Sequence, residues 1–71
     1  MSLVKGSIEY EAAVLELDFI KNKIEKLDVF LRKVQRDEIS LPSRDYELLE
    51  EQLHYMRGYA RTLEIRVDWS R

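Results

Sequence analysis

Between Ile8 and Arg36 the apolar residues Tyr10, Ala13, Leu17, Ile20, Ile24, Leu27, Leu31 and Val34 recur in alternating steps of three and four. An α-helix turns once every ~3.6 residues, so such a series lies along one side of a helix. A second series, Leu49, Leu53, Met56, Ala60, Leu63 and Val67, keeps the same spacing after Tyr46. Between them "RDEISLPSR" holds the only proline, Pro42, in a charged, serine-containing stretch that reads as a turn. Ser43 is the expected N-cap, because its hydroxyl can accept from an unpaired N–H of the first turn. A connection this short makes the helices antiparallel neighbours. The expected fold is all-α: an antiparallel two-helix hairpin with a helix over 8–36, a turn over 37–43 and a helix over 44–68. The start, "MSLVKGS", lacks the long apolar stretch of a secretory signal. Residues 1–7 are read as a flexible leader, native or added, without structural weight.

Charge favours the same pairing. The first helix begins acidic, with Glu9, Glu11, Glu16 and Asp18, and turns mainly basic, with Lys21, Lys23, Lys26, Arg32, Lys33 and Arg36. The second begins with Asp45, Glu47, Glu50 and Glu51, then carries Arg57, Arg61, Arg66 and Arg71. Folded back, each acidic half lies near the other helix's basic half, and each helix matches its own macrodipole. Pairs of this kind contribute a few tenths of a kcal/mol each, so they select an arrangement more than they stabilise it.

Seventy-one residues without cysteine make one small domain that no disulfide or thiolate metal site can brace. Association is the expected route to stability. The net charge of −2 exerts no bulk pull on nucleic acid or an anionic membrane. No apolar run approaches the roughly 20 residues of a membrane helix, and a cytoplasmic protein is expected. The lysines and arginines of the first helix make a poor nucleic-acid stripe, since Glu25 and Asp28 interrupt it.

Beside its oily series the second helix carries another row: Leu48, Gln52, Tyr55, Tyr59, Thr62 and Arg66. The first helix has a matching set in Ala12, Phe19, Lys23, Lys26 and Phe30. Each helix is therefore apolar over more than a narrow coiled-coil seam. A lone hairpin would leave Phe19, Phe30, Leu48, Tyr55 and Tyr59 wet, and burying an aromatic side chain is worth roughly 1.5–3 kcal/mol. A homo-oligomeric helical bundle follows as the expectation. Gln52, Tyr59 and Arg66, spaced by sevens, leave three readings open: a partly solvated rim, cross-interface pairs that fix register, or a ligand site. Gly58, on the outer side, either admits the close approach of another chain or ligand, or is a neutral surface residue.

Catalysis is not expected. Glu51 to His54 spells Glu-x-x-His, the spacing of di-iron bundles, with Asp28 or Glu25 near it on the facing helix. Both residues face away from the oily row, so a solvated face is the better reading, with no metal and no cofactor. No phosphate loop, nucleophile elbow or zinc pattern is present. Trp69 is read as a cap over the end of the bundle.

"FL" at 30–31, the turn with Leu41, and "LLEEQLHYMRGYARTLEIRV" resemble a family of very small helical-hairpin proteins of bacteriophages and prophages, including crAss-like phages. The shared positions are Leu48, Leu49, Gln52, Met56, Tyr59, Leu63 and Arg66. The turn departs from the pattern in lacking an aromatic. More distantly, the hairpin with Gln, Met and Arg on its second helix is similar to phage anti-CBASS sponges, small oligomers that sequester cyclic nucleotides. The resemblance implies a non-enzymatic, anti-defence protein in the host cytoplasm that holds a cyclic nucleotide or ADP-ribose-type molecule between subunits. Tyr55 or Tyr59 would then stack a base, Arg66 meet a phosphate and Gln52 read a polar edge, with Lys23 or Lys26 of a neighbour adding charge. The competing expectation is a protein–protein interaction module, adaptor or inhibitor, whose polar residues only set register.

Overall fold

A computed structural model describes residues 8–69, and the expected leader over 1–7 lies outside the described residues. Two helices, α1 (Ile8–Gln35) and α2 (Ser43–Trp69), fold back on each other into a rod with principal extents of 46 × 17 × 14 Å. There are no strands among the described residues. Ala13 and Leu17 of α1 and Ala60, Leu63 and Val67 of α2 form a buried cluster, with Tyr10, Val14, Ile20 and Ile24 packed against it. Leu31 and Leu53 are buried nearer the turn. The two oily rows therefore meet each other. Burial is shallow even so: Leu63, the most enclosed core residue, is 3% exposed, and Leu27, Val34, Leu49 and Met56 are only half-buried. Two helices can enclose only one line of side chains, so each row keeps a wet margin.

Helix α1 ends through a defined stop. Asp37 takes the left-handed backbone with φ 60. Its N–H donates to Val34 O at 3.1 Å, and the Glu38 N–H donates to Lys33 O at 2.9 Å. This is a Schellman cap with aspartate where glycine is usual. Arg36 Nε also pairs with Glu38 Oε2 at 3.0 Å across that turn. At the start of α2 the cap differs by one residue from the expectation. Tyr46 N–H donates to Pro42 O at 3.0 Å, so Pro42 holds the capping place and Ser43 is the first residue inside the helix. Proline gives up no hydrogen bond there, because an N–H at a helix start has no intrahelical partner.

The hairpin has two unlike sides. On one, Lys21 Nζ pairs with Glu64 Oε1 at 2.9 Å and Arg57 Nη2 reaches Asp28 Oδ1 at 3.4 Å. Arg32 Nη2 also pairs with Asp28 Oδ2, at 3.1 Å, and Gln35 Nε2 donates to the Tyr46 hydroxyl. The interhelical pairs Lys21–Glu64 and Arg57–Asp28 thus use acidic residues set within the basic halves, rather than the half-against-half matching expected from the charge distribution. On the other side the Tyr59 hydroxyl donates to Glu16 Oε1, and the exposed aromatics gather around it.

Candidate functional site

The second row of α2 lies on the aromatic side. Stepping ~100° per residue, its members stand about a quarter turn from the buried row, on the flank opposite Arg57 and Glu64. Tyr55 is 66% exposed, and Leu48, Tyr59 and, from α1, Phe19 are exposed with it. Phe30 departs from the expectation of a wet side chain: it is half-buried, close to where the turn folds the chain over.

Leu48, Gln52, Tyr55 and Tyr59 line one open groove with Glu51, Met56 and Ile20 of the facing helix, about 420 Å³ in volume. The helical spacing itself makes this groove. Residues four and seven apart stand above one another, and Ile20 closes the side toward α1. Gln52 Nε2 rests 3.8 Å from Met56 Sδ, a weak contact that turns the amide along the groove. Tyr59 is fixed by Glu16. That hydrogen bond, together with partial desolvation and the Glu16 charge, raises the phenol above its ordinary pKa, while the Arg66 charge pulls it down. The neutral phenol is the hydrogen-bonding form. Tyr55 meets His54 edge to face with ring centroids 5.6 Å apart. The groove is thus two tyrosine rings, an amide and an aliphatic floor, and Glu51 is the one charged residue in its lining.

The other candidate residues stand elsewhere. Arg66 lines a separate groove with Thr62, Ile65 and Trp69, about 430 Å³ in volume. Along α2 it lies ~21 Å from Gln52 at 1.5 Å per residue, so the two cannot grip one small molecule within a single chain. Lys23 Nζ sits 5.3 Å from the centroid of the Phe19 ring, an intrahelical cation–π contact. Lys26 faces outward with Asn22, Glu25 and Val29. One hairpin therefore brings Gln52, Tyr55 and Tyr59 together and leaves Arg66, Lys23 and Lys26 outside their groove.

Among the groove-lining residues that the row-by-row reading did not name as ligand contacts, three stand out. Leu48 and Met56 are the i−4 and i+4 neighbours of Gln52, and their place in the groove was readable from that spacing. Trp69 is the third. It stands 68% exposed beside Arg66 rather than lying over the end of the hairpin.

The Glu51–His54 pair gathers no ligands. Both are exposed, Asp28 is held between Arg32 and Arg57, and no group of three His, Asp or Glu among the described residues could hold a metal ion. No helix among those residues is long and apolar enough to cross a membrane.

The model of the Sequestin family matches this sequence over residues 14–68, a span that includes the whole aromatic groove. No curated protein and no solved structure matches the chain.

Proposed function

The chain belongs to the Sequestin family, and from that membership we propose that it is a non-catalytic phage-type protein that holds a host nucleotide signal and keeps it from its receptor. The family name points to sequestration. Supporting the nucleotide reading is the groove itself: Tyr55 and Tyr59 present exposed rings beside the Gln52 amide. A base stacks on an aromatic face, and an amide can donate to and accept from a base edge at once. The ligand class is a cyclic nucleotide or an ADP-ribose-type molecule, held at inter-subunit sites of a homo-oligomer in the cytoplasm of an infected cell. A sponge of this kind requires tight, stoichiometric binding and no turnover.

One observation favours the second reading, an adaptor that docks on another protein. The groove of a single chain is lined by no basic residue, and a phosphate needs a cation or several N–H donors. The readings separate by native mass spectrometry of the full chain, with and without cyclic di-AMP, other cyclic nucleotides and ADP-ribose. Whole-number nucleotide masses on a discrete oligomer, lost in Arg66→Ala while the oligomer persists, is the expected result. An oligomer that stays bare against the whole panel overturns the nucleotide reading in favour of the adaptor. Capture of a protein partner lost in Tyr59→Ala would then follow.

A further inference from the structure

We infer that the exposed flank of α2 is a two-fold, antiparallel self-interface centred on Gly58 and Tyr59, which sets Arg66 of one protomer opposite Gln52 of the other. Read from one end, the flank runs Leu48, Glu51 and Gln52, Tyr55, Gly58 and Tyr59, Thr62, Arg66, Trp69. Reversed about its midpoint it meets itself in kind. Leu48 falls against Trp69, Glu51 and Gln52 against Arg66, Tyr55 against Thr62, and the centre against its own copy. A two-fold interface demands this self-complementarity, since every contact occurs twice.

Charge selects the antiparallel sense. Paired parallel, Arg66 would oppose Arg66 and Glu51 would oppose Glu51. Paired antiparallel, the acidic end of each flank meets the arginine of the other.

Gly58 marks the crossing. It is exposed, and a Cβ built on it meets nothing within 4 Å, so no neighbour in its own chain requires a glycine there. Glycine weakens a helix interior, and a bare backbone at the midpoint of the flank lets two helices approach closely where they cross. Thr62 Oγ1 bonds back to Gly58 O at 3.1 Å, which keeps that hydroxyl on its own backbone beside the bare position.

The grooves complete one another. One runs from Leu48 to Tyr59 at the centre, and the other lies beyond it, from Thr62 to Trp69. The two-fold lays the first over the partner's second. The tyrosines and amide of one chain then share a site with the arginine and tryptophan of the other. That site has the cation which the groove of a single chain lacks. The ligand part of this inference rests on the nucleotide reading above; the interface does not.

The chain has no cysteine, so introduced thiols report proximity without background. Mild oxidation of the full chain at low concentration reads which flank positions meet. Mixed Gln52→Cys and Arg66→Cys chains are expected to form the mixed dimer in preference to either self-dimer. Glu25→Cys, outside this flank, is expected to stay unlinked. A mixture of Gln52→Cys and Arg66→Cys chains that links no better than Glu25→Cys overturns the interface.

The shared site is tested with cyclic di-AMP or ADP-ribose, whichever the wild type takes up. Gln52→Ala and Arg66→Ala should each lose binding, and mixing them should restore about a quarter of the sites. Random pairing makes half the dimers mixed, and each mixed dimer keeps one of its two sites. Cross-linking without such recovery means that Arg66 does not act across the two-fold. Cross-linking by a wild-type background that binds neither probe removes the nucleotide reading and leaves the interface. Binding by a monomer that never cross-links does the reverse.

Discussion

The Tyr59 hydroxyl donates to Glu16 Oε1, tying the exposed flank of α2 to α1 on the side of the hairpin that carries the aromatic groove. The bond holds one groove wall at a fixed height, because a tyrosine pinned at its tip cannot swing into the groove or out of it. The ring stays available on its face while its edge is committed.

This contact should be visible in titration. The Tyr59 phenol is raised by its hydrogen bond to Glu16 first, then by desolvation and the Glu16 charge. A raised folded-state pKa contributes stability that is complete below the unfolded tyrosine value and is lost as pH rises through the folded one. Tyrosine-resolved NMR titration should find Tyr59 ionising above the ordinary phenol range, and Glu16→Gln should bring it down. An unaltered Tyr59 titration in Glu16→Gln would show that the bond does not persist in solution.

Asp37 is a place where the chain can be improved. With φ 60 it bears a left-handed backbone that disfavours a side chain. Asp37→Gly removes that strain but loosens the unfolded chain, for a net gain of about 0.5–1 kcal/mol. Urea denaturation should show a higher midpoint with an unchanged slope. A lower midpoint would mean that the aspartate carboxylate contributes more to the turn than its backbone costs.

Core and flank should respond differently to truncation. Leu63 is 3% exposed and lies in the central cluster, so Leu63→Ala should cost about 2–5 kcal/mol, enough to unfold a chain this small. Leu48, more than half exposed in one chain, should change hairpin stability by less than about 0.5 kcal/mol when truncated. Its loss should instead weaken self-association. Circular dichroism at dilute concentration reads the first effect and sedimentation the second.

Gly58→Ala should separate helix stability from assembly. A Cβ there meets open space, so the helix gains about 1 kcal/mol. At a close helix crossing the same methyl group holds the two backbones apart. Thermal unfolding of the dilute protein should rise while the dimer dissociates at a higher concentration than in wild type. A variant gaining on both counts would show that Gly58 is not at a contact.

The pairing of helices was legible because burial follows a spacing that the residues themselves carry, and Leu17, Leu53 and Leu63 lie where their rows put them. Ion pairing was less so. It depends on which charges border the seam rather than on the balance of each half, and Asp28 and Glu64 border it. Phe30 sits on the same row as Phe19 yet is half-buried, because the row passes near the turn only at that end. For the site, the row was legible but its division was not. Seven-residue spacing makes Gln52, Tyr59 and Arg66 look like one set, whereas a straight helix spreads them over ~21 Å and hands them to two grooves.

The contrast between the two sides of the hairpin bears on how large any assembly can grow. Lys21 pairs with Glu64 and Arg57 with Asp28 across one side, so these four charges are already matched before an incoming copy arrives. A building block that adheres on a single side closes after a few additions. One that adhered on both would extend without limit, as a filament does. With self-association confined to the flank inferred above, the particles would stay small and diffusible.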